Sequence, residues 1–179
     1  MRGQWLRRKR TGKREVSIFI RTASERDLPA VQKLLGICLP VTYDSIYGAA
    51  RVSAIINELA SLPALKLMLL EPYSEFIVAD GAGGILGMAY ANQSANDYVM
   101  LRRLYVLPEA QGKGLGSELL AEIETAFPDA RSARLEVEEA NTIAVRFYKR
   151  HDYIIVSQFD DFGGPQSGIA AFNMQKQLA

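Results

Sequence analysis

The sequence predicts an α/β fold with a mixed, mostly antiparallel central sheet and helices on both of its faces. Strand-like and helix-like segments share the chain, but they do not alternate as a strict β-α-β repeat. Three strand-like segments follow one another without a helix between residues 75 and 106, which favours antiparallel neighbours. The length of 179 residues and the hydrophobic content of 49% fit one globular domain with a core.

The first predicted elements are a strand and two helices. The run VSIFIRTAS, residues 16–24, predicts the strand, and Ser24 with Asp27 three residues later offers an N-cap for the helix that follows. Residues 43–60 repeat an apolar spacing of three and four and predict the second helix. Residues 63–72 are apolar without a clear period, so this segment is the least legible part of the chain.

Three strands and a helix are predicted next. The runs EFIVAD, ILGMAYANQ and DYVMLRRLYV predict the strands, and Asp80-Gly81 is a common hairpin signal between the first two. A glycine-rich loop then leads into a helix from about Ser117 to Phe127, which Pro128 ends.

The last predicted elements are a strand, a helix and two strands. The run ARLEVEEA predicts the first strand, and Asn141 offers an N-cap for a helix that reaches about Arg150. Asp152 follows at the place where a left-handed backbone is usual. The runs YIIVSQF and IAAFNMQKQ predict the two strands that close the chain.

Charge divides the chain into two parts, although the formal net charge is only +1. Residues 1–16 hold seven basic residues and one acidic residue, so we expect a flexible basic arm ahead of a single domain at residues 17–179. That domain carries five more acidic than basic residues, which modestly favours a cationic substrate. Nucleic acid is an unlikely partner in this interpretation, with contact through the arm as the alternative.

Cysteine content and hydropathy indicate the compartment. Cys38 is the single cysteine, which excludes an intramolecular disulfide and fits a reducing environment; we interpret it as a buried apolar residue, with a catalytic thiol as the alternative. No window reaches 18 consecutive apolar residues. We therefore expect a cytoplasmic protein that does not bind a membrane.

The stretch LYVLPEAQGKGLGSELL places three glycines at alternate positions between a strand and a helix. Without Cβ atoms, Gly112, Gly114 and Gly116 allow successive backbone N–H groups to point at one ligand, and the helix start adds its own N–H groups. This arrangement predicts a phosphate or pyrophosphate site. A Walker A loop is excluded because Gly114 follows Lys113. A dinucleotide fingerprint is disfavoured because its third glycine is absent and no repeated parallel β-α-β pattern surrounds the loop.

These residues resemble the cofactor-binding motif of the GNAT superfamily of acyl-CoA-dependent N-acetyltransferases. The motif Q/R-x-x-G-x-G/A falls on Gln111, Gly114 and Gly116, and NTIAVRFYKRHDYI is similar to a later helix of the family, with Asn141 at its start and Tyr148 seven residues on. The predicted order of elements also matches. The resemblance implies a GNAT-like fold and acetyl-CoA as co-substrate, with no metal.

The resemblance also implies roles for single residues. The backbone of Leu104, Tyr105 and Val106 would pair with pantetheine, and Asn141 would touch the cofactor as well as cap its helix. Tyr148 would donate a proton to the departing thiolate, with a core aromatic as the alternative. The pyrophosphate would be held by backbone N–H groups of the loop, which comprises Gln111, Gly112, Lys113, Gly114, Leu115, Gly116 and Ser117.

The general base is the role that the sequence leaves open. In the family a Glu commonly stands four residues before the Leu of LYV, and here that position is Met100. Glu136 and Glu138 alternate on the next strand and could project to one face as the base or its water relay, with a solvated strand face as the alternative. Further candidates, which spacing does not rank, are Tyr43, Asp44 and Asp97. We interpret His151, the only histidine, as a surface residue at a helix C-terminus.

The resulting functional hypothesis is direct acetyl transfer from acetyl-CoA to a primary amine of a small cationic molecule or a peptide. An acyl-CoA sensor with little turnover is the first alternative, since Met100 leaves the usual base position empty. A ribosome-directed protein N-acetyltransferase that uses the basic arm is the second. Strands near the C-terminus could also pair across a homodimer.

Overall fold

The computed structural model describes residues 17–93 and 97–178, and the basic arm predicted at residues 1–16 lies outside them. Short 3₁₀ turns at Glu25–Asp27 and Pro108–Ala110 precede two of the larger elements. In the described ranges the chain forms, in order, β1 (Phe19–Thr22), α1 (Leu28–Tyr47), α2 (Ala49–Leu59), α3 (Leu62–Leu70), β2 (Ser74–Gly81), β3 (Gly84–Gln93), β4 (Tyr98–Val106), α4 (Leu115–Thr125), β5 (Ser132–Glu138), α5 (Thr142–Lys149), β6 (Ile154–Phe159) and β7 (Ala171–Gln177).

The seven strands form one sheet in the order β1-β2-β3-β4-β5-β7-β6. Only β4 and β5 pair in parallel, and every other pair of neighbours is antiparallel. The mixed, mostly antiparallel sheet predicted from the sequence is therefore confirmed.

Helices cover both faces at the centre of the sheet. Residues 76–79 of β2 and 87–91 of β3 are buried one after another, and consecutive burial in a strand requires cover above and below it. The cover comes from α1, α3 and α4, which pack against β2, β3 and β4. The predicted two-sided arrangement is confirmed as well.

The N-terminal helices differ from the sequence prediction. One helix, α1, runs on to Tyr47 with Pro40 inside it, and Gly48 at a φ of 80° separates it from α2. Residues 62–70 form the third helix, α3, in the segment that showed no clear period. Five of its nine residues are leucine, so the apolar pattern has too little contrast to reveal a helical face.

The predicted helix caps are present. Asn141 Oδ1 accepts a hydrogen bond from Ala144 N at 3.2 Å, and Asp152 has a φ of 67° after α5. No single helix in the described residues is long and apolar enough to cross a membrane, and only the bent pair of α2 and α3 meets that length and composition together.

An ion-pair cluster joins β1, β2 and the start of α1. The Arg21 guanidinium donates to both carboxylate oxygens of Asp27 at 2.8 Å and to Asp80 at 2.7 Å. Asp27 also accepts from Ser24 N at 2.8 Å, so the predicted N-cap at Ser24 caps the 3₁₀ turn Glu25–Asp27 that leads into α1. The hydrogen bonds from Arg21 hold the pKa of the largely buried Asp27 carboxyl well below its usual range.

We expect Asp27→Asn to lower the free energy of unfolding by about 2 kcal/mol at pH 7, because Arg21 loses a charged acceptor. The depressed pKa means that this contribution is present above the ordinary carboxyl pKa and declines as the pH falls toward the folded-state value. Urea unfolding of both proteins at pH 7 and pH 3 measures the difference. Asp129→Asn, at an exposed position, is the control; an equal loss in the control, or a difference that grows at pH 3, would contradict the assignment.

Candidate active site

The site begins where β4 and β5 separate. Their parallel pairing covers three positions, from Tyr98 opposite Ser132 to Met100 opposite Arg134, and then ends. Directly beyond it, the register between β3 and β4 shifts by one residue, so that Arg102 forms a bulge. A bulge bends its strand and increases the local twist. The β5-facing edge of β4 from residue 101 onward is thus left without a strand partner.

A cavity of about 460 Å³ fills the opening between the two strands, and we call it the strand cavity. On β4, the residues that line this cavity begin at Leu101, one residue past the last position paired with β5. Met100, which stands where the family commonly has a Glu, does not line the cavity. The predicted site residues that do are Leu104, Tyr105, Val106, Gln111, Gly112, Gly114, Gly116, Ser117, Glu136, Glu138, Asn141 and Tyr148.

The glycine loop ends at the N-terminus of α4. Gly112 and Gly114 have φ values of 73° and 89°, which a residue with a Cβ adopts only at a cost, and Gly114 is the N-cap residue. Glu118 N donates to Gly114 O at 3.0 Å as the first helical bond, so the N–H groups of residues 115–117 precede it. These groups and the positive end of the helix dipole fit a pyrophosphate.

Side-chain contacts hold the loop against the neighbouring elements. Gln111 Nε2 donates to Val106 O at 2.9 Å, which ties the motif glutamine to the end of β4. Ser117 Oγ lies 2.9 Å from His151 Nε2, and the His151 ring packs 4.6 Å from Phe147. His151 is half-buried, and the prediction that it is a surface residue missed this contact with the loop.

Two members of the predicted loop set lie away from the cavity wall. The Lys113 ammonium donates to Glu109 O at 2.7 Å, and the side chain of Leu115, the first residue of α4, is buried in the core. Their backbone groups still belong to the loop and to the first turn of the helix. The structure therefore supports a backbone role for these two positions rather than a side-chain role.

The Tyr148 phenol faces the strand cavity from α5. Its ring packs against Phe147 and Tyr153 at centroid distances of 5.2 and 5.6 Å, so it contributes to the core as well. Its hydroxyl has no hydrogen-bond partner among the described residues. Burial raises the pKa of Tyr148 above its usual value, so the phenol is protonated at neutral pH.

The two candidate carboxylates on β5 have different surroundings. Glu138 is 4% exposed and accepts a hydrogen bond from the Tyr47 hydroxyl at 2.6 Å, whereas Glu136 is exposed. Burial raises the pKa of Glu138 above the ordinary carboxyl value, although the bond from Tyr47 opposes the shift. When ionised, Glu138 is therefore a stronger base than an ordinary carboxylate.

A second cavity of about 590 Å³ lies between α1, α2 and the same two strands, and we call it the helical cavity. Six residues line both cavities, namely Tyr43, Arg102, Arg103, Tyr105, Glu136 and Glu138. Glu138 is the buried member of this set, so the two cavities meet at a buried carboxylate. The hydroxyls of Tyr43 and Tyr105 are 3.5 Å apart. The other residues that line the helical cavity are Leu35, Leu39, Tyr47, Arg51, Ala54, Ile55, Glu58, Leu59, Phe162 and Gly163.

Sequence reasoning missed most of the helical cavity. Leu35, Leu39, Tyr43 and Tyr47 recur every four residues and share one face of α1, a signal that a helix continued past Pro40 would have revealed. Of the three unranked candidates, Tyr43 lines both cavities, while Asp44 and Asp97 line neither.

The remaining reactive groups do not form a nucleophilic or metal site. Cys38 lines the strand cavity, but burial raises the pKa of its thiol to about 11, so little thiolate exists at neutral pH. No group of His, Cys, Asp and Glu side chains in residues 17–93 and 97–178 is arranged to hold a metal ion.

Comparison with protein families identifies the domain type. Residues 72–155 match the family model described as an acetyltransferase (GNAT) domain, and this range contains the glycine loop, Glu138 and Tyr148. No curated protein matches the chain.

Several solved acetyltransferase structures share the fold. PaiA N-acetyltransferase from Thermoplasma acidophilum, in complex with coenzyme A, is 25% identical over 90% of this chain and 99% of its own, with a TM-score of 0.79. Ribosomal-protein-alanine N-acetyltransferase from Brucella melitensis is 22% identical over 89% and 99%, with a TM-score of 0.70. Nourseothricin acetyltransferase is 26% identical over 60% and 67%, with a TM-score of 0.56.

We expect Gly112→Ala to weaken coenzyme A binding at least tenfold, because a side chain at this φ displaces the N–H groups that face the phosphates. Calorimetric titration with coenzyme A measures the loss. Gly168→Ala is the matched control: its φ of 66° is similar, and the added Cβ meets nothing within 4 Å at either glycine. Both variants should lose about 1 kcal/mol of stability, and equal weakening of binding in both would refute a phosphate-binding loop.

Proposed function

Because this chain is a GNAT N-acetyltransferase with acetyl-CoA as its acyl donor, we propose that it transfers the acetyl group directly to a primary amine of a small cationic molecule or a peptide. The meeting of two cavities at one buried carboxylate carries this proposal. The strand cavity offers the donor an unpaired strand edge and the glycine loop. The helical cavity, at about 590 Å³, has the size of a small-molecule site and receives the acceptor.

The amine must lose a proton before it can react. A lysine-like amine has a reference pKa near 10.4, so its neutral form at pH 7 costs about 4 to 5 kcal/mol. Glu138 lies where the cavities meet, and its raised pKa makes it a suitable acceptor for that proton. The Tyr47 hydroxyl, 2.6 Å away, fixes the orientation of the carboxylate.

The transfer balances with one base and one acid. Glu138 takes one proton from the ammonium, the amine lone pair then forms the new C–N bond, and the C–S bond breaks. Tyr148 gives its proton to the leaving thiolate, which makes that group easier to expel, and regains a proton from the newly acylated nitrogen. Its raised pKa keeps the phenol protonated before the step, as a general acid requires.

Charge supports a cationic acceptor. Residues 17–179 carry five more acidic than basic residues, whereas three glutamates and three arginines line the helical cavity itself. The long-range field of the acidic domain favours the approach of positively charged amines.

The proposal is tested by thiol release from acetyl-CoA in the presence of polyamines, aminoglycosides, amino acids and peptides. At least one amine should raise release well above background hydrolysis, with an N-acetyl product detected by mass spectrometry. Release at background with every amine, while coenzyme A still binds, would instead support a sensor.

We expect Glu138→Gln to lower kcat about 100-fold or more and Glu136→Gln to change it less than about threefold, because only Glu138 is buried at the junction. In the wild type, kcat/KM should rise with pH through an apparent pKa above the ordinary carboxyl range, since the base works ionised. This rise of kcat/KM with pH should be absent in Glu138→Gln. Equal effects of both substitutions, or an unchanged pH profile, would remove Glu138 from the role of base.

We expect Tyr148→Phe to lower kcat by about 100-fold and to leave the Kd of coenzyme A within about twofold, because the ring is kept and only the proton donor is lost. Steady-state kinetics and calorimetry measure the two quantities. Tyr98→Phe is the control, since that hydroxyl lies outside both cavities. Parallel losses of coenzyme A binding and thermal stability in Tyr148→Phe would identify a packing residue.

A further inference from the structure

The helical cavity contains a guanidinium that no carboxylate neutralises. Arg103 is half-buried on β4 and donates a hydrogen bond from Nη1 to Leu59 O at 3.0 Å. Among the described residues, no Asp or Glu lies within ion-pair distance of it. A guanidinium has five N–H donors, so four of them remain available to a ligand.

The surroundings of Arg103 make this lack of an anion costly. Leu35, Leu39 and Ile55 contribute apolar surface to the same cavity. Burial lowers the pKa of Arg103, which means that its environment disfavours the positive charge. Groups of this kind are normally paired when they are buried.

A second arginine extends the positive region of the cavity. The Arg51 guanidinium lies 5.3 Å from the centroid of the Tyr47 ring, and Tyr47 donates to the proposed base Glu138. The helical cavity therefore has both guanidinium groups and the buried carboxylate in its lining. An acceptor that fills it meets a proton acceptor at one point and anion-binding groups at another.

We propose that the acceptor carries an oxyanion, a carboxylate or a phosphate, in addition to its primary amine, and that Arg103 binds this oxyanion. A planar guanidinium can make two parallel hydrogen bonds to either group. The inference rests on the proposed function, because it assigns a chemical class to the acceptor of the same reaction. A basic amino acid, with two ammonium groups and one carboxylate, satisfies both the cationic preference and this requirement.

The donor is the competing explanation for Arg103, because this residue also lines the strand cavity. The hydrogen bond from Arg103 to Leu59 O argues for the acceptor side, because Leu59, at the end of α2, lines the helical cavity and not the strand cavity. Coenzyme A binding by Arg103 variants tests this point directly.

The experiment compares pairs of amines that differ in the oxyanion. For the carboxylate, L-lysine is compared with 1,5-diaminopentane, and for the phosphate, phosphoethanolamine is compared with ethanolamine. In the wild type, kcat/KM should be at least tenfold higher for the anionic member of one pair. The pair that shows the preference identifies which oxyanion is bound.

The variants are Arg103→Gln and Arg103→Lys, with Arg131→Gln as the control. Arg131 is 83% exposed and lies outside both cavities, so its removal should keep the preference. Arg103→Gln should reduce the preference at least tenfold, and Arg103→Lys should restore part of it, because an ammonium keeps the charge without the planar fork. Calorimetric titration with the preferred anionic amine in the presence of coenzyme A should show weaker binding by Arg103→Lys than by the wild type, and the weakest binding by Arg103→Gln.

The possible failures separate the inference from the proposed function. A wild type that acetylates amines without preferring the anionic members would overturn the inference and leave the proposed function standing. Equal losses for both members of a pair in Arg103→Gln, or weaker coenzyme A binding, would also overturn it, because Arg103 would then serve the fold or the donor. If no amine in any assay is acetylated, the proposed function fails and the inference fails with it.

Discussion

The separation of β4 from β5 is the constraint on which the rest of the site depends. Two strands that pair at three positions and then diverge leave backbone N–H and C=O groups without sheet partners, and such groups are costly to leave unsatisfied. The bulge at Arg102 sits where the divergence starts, and the glycine loop and α5 close the far end. The separation of the two strands therefore forms the strand cavity, which can hold an extended ligand, and brings side chains from both strands to the edge of that cavity.

Burial shifts the pKa of two groups that line the strand cavity, and each shift suits the catalytic role that we propose for that group. It raises the pKa of Glu138, which strengthens the carboxylate as a base, and it raises the pKa of Tyr148, which keeps the phenol protonated. The Tyr47 hydroxyl donates to the carboxylate, and Tyr43 and Tyr105 add two further hydroxyls to the same cavity lining. A single low-dielectric environment can thus hold a proposed base and a proposed acid in the opposite protonation states that direct transfer needs.

The helical cavity differs in character from the domain around it. The domain as a whole is acidic, yet three arginines line this cavity beside three glutamates, one of which is buried with a raised pKa. Overall charge governs the long-range field that an approaching ligand meets, whereas contacts inside a cavity depend on individual groups. A net-positive amine that also carries an anionic group is compatible with both levels, because the field attracts it and the guanidiniums give it a binding partner.

The sequence by itself determined the sheet class, the glycine loop and the Asn141 cap, because each depends on short-range rules. Turn-forming residues, helix caps and the alternation of side chains along a strand each involve only a few residues, so they can be recognised in the amino-acid sequence. Tyr148 became the candidate acid only through the resemblance to the GNAT family, and the base stayed open between Glu136, Glu138 and further residues. Only the tertiary structure showed that Glu138 is buried and Glu136 exposed, and that Tyr47 and Arg103 line the helical cavity. Only the tertiary structure also continued α1 through Pro40 and formed α3 from a nearly uniform leucine segment. These outcomes depend on burial and on contacts between residues up to 91 positions apart, such as Tyr47 with Glu138, and no local pattern encodes the dielectric that such contacts create.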